Sequence, residues 1–245
     1  METTRKRFLV LDSLRGVFAL SVVMLHLHIY QAVSEIQLFR SAASFVDFFF
    51  VLSGFVLTHG YGGKIMDATG FKRLIISRTF RLYPLYFVML LVFIGLELLK
   101  YIAEENGFLF NNSAFTAGTS PESILPNLFL LQSWVGQGSN LSFNYPSWSI
   151  SVEYYLYVIF GLILFVFTRY RCIVFCLFST VGFISLISHS LGLNWEISSG
   201  IASFFYGAIM YKIYLLISSQ RMNFWLATIL EVVVALICYF LIISK

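Results

Sequence analysis

Long apolar runs alternate with short basic connections along this chain. Runs near 20 residues, the helical length that crosses a bilayer core of about 30 Å, fall at approximately 8–30, 44–62, 82–99, 147–168, 172–191, 197–217 and 224–243. The pattern predicts an all-α polytopic membrane protein with about seven transmembrane helices. A further apolar piece, Ile124 to Trp134, is too short to span and holds Pro126, so a re-entrant or interfacial position is expected for it. Arg5, Lys6 and Arg7 precede the first run, and Lys64, Lys72, Arg73, Arg78 and Arg81 fill the second connection. Arg169 and Arg171 lie in the fourth connection, and Lys212 and Arg221 flank the sixth run. With the N-terminus cytoplasmic, all of these fall on one side, as the positive-inside rule requires. Lys100 and Lys245 fall on the other side. The longest polar segment, residues 100–146, carries Glu104, Glu105 and Glu122 and is expected to be an extracytoplasmic loop.

Composition sharpens this picture. Of 245 residues, 59% are hydrophobic and only 11% charged, against roughly 25% charged in soluble domains, so no soluble domain is expected. The net charge of +4 is carried by the clusters between apolar runs, which speaks for membrane orientation and against nucleic acid as a partner. Cys172, Cys176 and Cys238 all lie inside apolar runs with no His or carboxylate beside them to complete a metal site. The basic start followed by an apolar run resembles a signal peptide. Arg15 interrupts that run, however, and no small-residue cleavage site follows, so a retained first helix is expected. Two sequons, at Asn111 and Asn140, carry weight only in a secretory-pathway protein.

The informative residues are the polar ones that hydrocarbon should exclude. In "LDSLRGVFALSVVMLHLHIY" (Leu11 to Tyr30), His26 lies eleven residues after Arg15. At about 100° per residue, the two share a helix face, roughly 16 Å apart along the axis. Asp12 lies close to that face, whereas His28 points the other way. Such a face should meet other helices or a water-filled cavity. The bland competitor pairs Asp12 with Arg15 at the headgroups and lets His26 snorkel outward. In the second run, Asp47 sits beside three Phe and needs a partner, for which a His or Arg of the first helix is the obvious candidate; Ser53-Gly54 suits close helix packing. Arg78 and Arg81, spaced i, i+3, can present one basic face to an anionic group such as a phosphate, with lipid headgroups and plain topology determination as competitors. Glu153 is the only carboxylate of the helix opened by Pro146 and Ser147, and Glu231 sits in the last run with no motif around it.

Four segments in order, "LDSLRGVFALSVVMLH", "VDFFFVLSGFVLT", "RTFRLYP" and "PSWSISVEYYLY", resemble the acyltransferase-3 family of integral membrane acyltransferases. They cover roughly residues 8 to 160, and "SFFYGAIMY" (Ser203 to Tyr211) extends the likeness. The resemblance implies a single transmembrane acyltransferase domain over residues 1–245, multi-pass in the bacterial inner membrane. It implies transfer of an acyl group, commonly acetyl, from cytoplasmic acyl-CoA to a hydroxyl on an extracytoplasmic or exported glycan. It also implies that Arg15 and His26 are the paired functional residues, that Glu153 matches the family's acidic residue, and that Arg78 and Arg81 match its Arg-x-x-Arg donor-binding motif. Asp47 joins the catalytic set. No bound cofactor or metal is implied; acyl-CoA, a glycan or lipid-linked saccharide acceptor and membrane lipids are the expected partners. Family members usually have about ten spanning helices, so this chain is expected to be C-terminally short, with an inactive remnant or a partner chain completing the bundle as the alternatives. A transporter is the competing class.

Overall fold

The computed structural model describes residues 8–26, 44–63, 66–135, 142–188 and 192–218, with 225, 228–229 and 232–233 beyond them. An apolar run in hydrocarbon must close its backbone hydrogen bonds within itself, and helix is the form that does so. The helices are α1 (Leu9–His26), α2 (Ser44–Tyr61), α3 (Ala68–Glu105), the short α4 (Ile124–Leu128), α5 (Trp148–Val166), α6 (Arg171–Ser188) and α7 (Trp195–Ser218), with no β-strand among the described residues. Five of them, α2, α3, α5, α6 and α7, are long and apolar enough to cross a membrane. With α1 they match the first six predicted runs. Most of the seventh run lies outside the described residues, as do His28, Asn140, Glu231, Cys238 and the basic residues Arg5, Lys6, Arg7, Lys64, Arg221 and Lys245.

The main departure from the sequence pattern is α3. Its 38 residues make a rod of about 57 Å, because the basic segment read as a connection is helical. Asp67, in an extended conformation, accepts a hydrogen bond from the Gly70 amide at 2.7 Å and so starts the helix. From Phe71 to Tyr83 there is neither Gly nor Pro, and Lys, Arg and Leu are good helix formers, so nothing stops it. Pro84 lies inside the helix. It removes one backbone bond to the Phe80 carbonyl without ending the element.

Contacts between helices fix their directions. Asp47, Gly54 and His59 of α2 meet Ser199, Phe204 and Tyr211 of α7 in rising order, so α2 and α7 run parallel. Phe50 and Ser53 meet Trp148 and Glu153, so α5 is parallel to both. Thr79 bonds Tyr154 while Phe71 lies on Gly161, which makes α3 antiparallel to α5. α1 and α6 also run antiparallel to the set, through Phe8 on Phe55 with Phe18 on Phe45, and Ser179 on Ala202 with Ser185 on Ser198. The six long helices therefore alternate in direction along the chain. The described basic residues at the α2–α3, α5–α6 and α7 ends gather at one end of the bundle, where Lys212 reaches the Gly62 carbonyl.

The core is aromatic, with Phe50, Phe160, Phe175, Phe204 and Phe205 fully buried. Close approach depends on small residues, as the Ser53-Gly54 pattern suggests. A Cβ on Gly54 would lie 1.9 Å from the Phe204 carbonyl oxygen, and one on Gly207 equally close to that of Val51. Large apolar side chains point outward from α3 and α6, among them Leu85, Leu99, Ile173 and Ile187, the surface that a hydrocarbon solvent accepts.

The segment expected as an extracytoplasmic loop is tied down. Glu97 and Glu104 of α3 accept the backbone amides of Phe115 and Ala114 at 3.0 Å. Tyr86 donates to the Asn127 carbonyl at 2.6 Å, and Ser151 of α5 to the Leu130 carbonyl, also at 2.6 Å. Leu130 adopts φ +57° and is buried, a left-handed backbone that neighbouring contacts must hold in place. The short apolar piece predicted there forms α4 and a turn, and it bridges α3 to the start of α5 without spanning.

Candidate active site

Four helices each turn one face toward a cavity of about 400 Å³. α1 contributes Arg15, Ala19, Val22 and His26, at i, i+4, i+7 and i+11, one continuous helical stripe. α2 contributes Val46, Phe49, Phe50 and Ser53, and α5 with its lead-in turn contributes Pro146, Trp148, Ser149, Glu153 and Tyr157. Arg81 and Leu82 of α3 close the remaining side. The cavity thus runs along the α1 face from Arg15 to His26, as the helical arithmetic predicts.

At the His26 end, the ring Nδ1 lies 2.8 Å from the Val22 carbonyl oxygen. A carbonyl can only accept, so Nδ1 carries the proton and a neutral ring has its lone pair on Nε2. That is the protonation state a general base needs. At the Arg15 end, the guanidinium approaches Asp12 at 3.9 Å, a long contact with an exposed carboxylate. It also feels Arg81 as a like charge and Glu153 as an opposite one. Two cations from different helices lining one cavity are costly together unless an anion joins them. Glu153 supplies fixed negative charge, and a bound polyanion would supply more.

Glu153 is held from two sides. Ser53 Oγ of α2 and the Tyr157 hydroxyl of α5 both donate to its Oε1, which leaves Oε2 outside that pair of bonds. Tyr157 stands i+4 from Glu153, the spacing at which helix side chains meet, and a neighbouring Tyr or Ser is the donor that a lone carboxylate within a membrane helix is expected to find. Ser53 was read from the sequence only as a packing residue. Trp148 and Ser149 were part of a quoted motif but carried no assignment.

Two sequence-predicted residues sit elsewhere. Asp47 is one step past Val46 on α2 and so faces α7, where its Oδ1 accepts from Ser199 Oγ. The sequence offered a His or Arg of α1 as its partner; the contact described is with α7, on the α2 face that also turns Val51 and Gly54 to that helix. Arg78 is on α3 but not among the residues lining the cavity. Its guanidinium lies over the Tyr157 ring, 5.4 Å from the centroid. The donor pair of the sequence therefore divides into a residue at the cavity, Arg81, and one behind it. His59, near the basic end of α2, lies within 3.0 Å of the Tyr211 hydroxyl of α7. Among the described residues no three His, Cys, Asp or Glu side chains gather into a metal-binding group.

A model of an acyltransferase domain matches residues 8–244, nearly the whole chain and every wall of this cavity. The chain belongs to the acyltransferase-3 family. "Protein 2 in picA locus" of Rhizobium radiobacter is 40% identical over 100 residues, which are 40% of this chain and 49% of that relative. "Acyltransferase MdmB" of Streptomyces mycarofaciens is 33% identical over 118 residues, 48% of this chain and 27% of that relative. The match thus spans about half of the first curated relative and about a quarter of the second. No solved structure gives a significant match. In this multi-pass acyltransferase-3 protein, Arg15, His26, Arg81 and Glu153 line one cavity.

Proposed function

We propose that this membrane acyltransferase moves an acyl group, acetyl in the first instance, from cytoplasmic acyl-CoA to a hydroxyl of an extracytoplasmic or exported glycan, in a bacterial inner membrane. The observation that carries the reading is one cavity with Arg15 and Arg81 at one end and His26, its Nδ1–H turned to the Val22 carbonyl, at the other. The name of the Streptomyces relative, an acyltransferase, accords with it. The cationic end suits the phosphates of a CoA donor. The cavity between accommodates an acyl chain with its thioester directed at His26. His26 Nε2 takes the proton of the acceptor hydroxyl as that oxygen attacks the thioester carbonyl. The new C–O bond forms, the C–S bond of the tetrahedral adduct breaks, and the CoA thiolate leaves with the proton that His26 returns.

The test is transfer from radiolabelled acetyl-CoA into envelope glycan by the protein in proteoliposomes. His26→Ala should lower the rate by a factor of about 100 or more, with insertion and elution volume unchanged. Unaltered glycan acylation in that variant would remove His26 from the chemistry. Substrate flux across the vesicle that survives His26→Ala, with no acylation in either protein, would mark a transporter.

A further inference from the structure

The two arginines of "RTFRLYP" are one helical turn apart, yet only Arg81 reaches the cavity. Arg78 is aimed at α5. There α3 and α5 lie close: a Cβ on Gly161 would come within 2.9 Å of the Phe71 ring, and Thr79 bonds the Tyr154 hydroxyl at 3.2 Å. Those two contacts flank Arg78 and fix its register on α5. Its guanidinium sits over the Tyr157 ring, and its Nε is buried with no hydrogen-bond partner among the described residues. Tyr157 is itself buried, and its hydroxyl ends on Glu153 Oε1. A chain of contacts therefore leads from Arg78 through one aromatic ring to the carboxylate that faces Arg15.

We propose that Arg78 is a positioning residue: it holds Tyr157, and through it Glu153, in the orientation the cavity needs, while Arg81 alone of the pair meets the acyl donor. A cation over a phenol ring draws electron density from it and makes the hydroxyl a better donor. The donated bond then fixes which oxygen of Glu153 is engaged and how the carboxylate is turned. Removing Arg78 loosens the ring, and Glu153 loses one of the two hydroxyls that orient it. The acyl donor's charged end, which lies at Arg81 and Arg15, is untouched. The inference rests on the acyltransferase reading above for its donor and its kinetics.

The experiment measures acyl-CoA affinity and initial rates for Arg78→Lys, Arg78→Gln, Arg81→Gln, Tyr157→Phe and Arg78→Gln/Tyr157→Phe in proteoliposomes. Arg81→Gln should weaken acyl-CoA binding about tenfold or more, whereas both Arg78 variants should bind it within about twofold of wild type. Arg78→Gln should lower kcat about tenfold at unchanged KM, and the double variant should be no slower than Tyr157→Phe. Arg78→Lys, which keeps the charge but not the flat stacking face, should recover only part of the rate. Loss of acyl-CoA affinity in the Arg78 variants equal to that of Arg81→Gln would overturn the proposal, as would independent, multiplicative rate losses in the double variant. A wild-type protein that binds acyl-CoA but transfers nothing would count against the acyltransferase reading, and the binding split between the two arginines would still decide the role of Arg78.

Discussion

Glu153 and Asp47 are both carboxylates in a membrane bundle, each receiving a serine hydroxyl from another helix, and they have different uses. Glu153 lines the cavity within reach of the Arg15 field; Asp47 joins α2 to α7 through Ser199. Glu153→Gln keeps an acceptor for Ser53 and Tyr157 and removes only the charge. Its rate should therefore fall about tenfold or more while the melting temperature of the purified protein holds. Ser199→Ala should do the reverse. It takes a hydrogen bond from a half-buried carboxylate, at a cost of about 1–3 kcal/mol to stability, and leaves the rate per folded molecule unchanged; a loss of turnover without a change in melting would return Asp47 to the chemistry. The Arg15–His26 face was legible in the sequence because helical phase alone determines it. The Asp47–Ser199 bond was not legible because α2 is apolar nearly all round, and its phase does not say which neighbour each face meets. Tyr157 was legible only as a residue four positions from Glu153, since a stacked arginine leaves no trace in spacing.

At the scale of elements, the α2–α7 seam is where substitution is least tolerable. Gly54→Leu and Gly207→Leu would each drive a side chain into a backbone carbonyl of the opposite helix, and in hydrocarbon there is no hydrophobic collapse to recover the lost contact. Either variant should cost about 3 kcal/mol or more, seen as early thermal unfolding in detergent, whereas Gly63→Ala, with open space around it, should change little. Helix ends in the apolar runs were legible to within a few residues, because length and hydropathy dominate there. α3 was not, because charge was read as interface; the cap at Asp67 and the breaker-free stretch after it carried the better information. The polar segment after α3 could not be resolved in advance, since what orders it is long-range: Glu97, Glu104 and Ser151 each reach across many residues to a backbone group.

For the whole molecule, the alternating helix directions put Cys172, exposed in the first turn of α6, at the basic end of the bundle. In a Cys176→Ser/Cys238→Ser background, a membrane-impermeant maleimide should label Cys172 in inside-out vesicles and not in right-side-out ones; the opposite pattern would invert the orientation drawn from the positive charges. The length of α3 has a bearing on this arrangement that concerns the lipid rather than the protein. Of its roughly 57 Å only the apolar run, residues 82–99, about 27 Å of helix, fills a hydrocarbon layer of about 30 Å, so the depth of Arg81, at the edge of that run, follows the thickness of the membrane around it. Vesicles of short- and long-chain lipids should then give different donor KM values from one and the same protein, which, for the acyl-CoA reaction proposed above, makes the fatty-acid composition of the host membrane a dial on donor affinity.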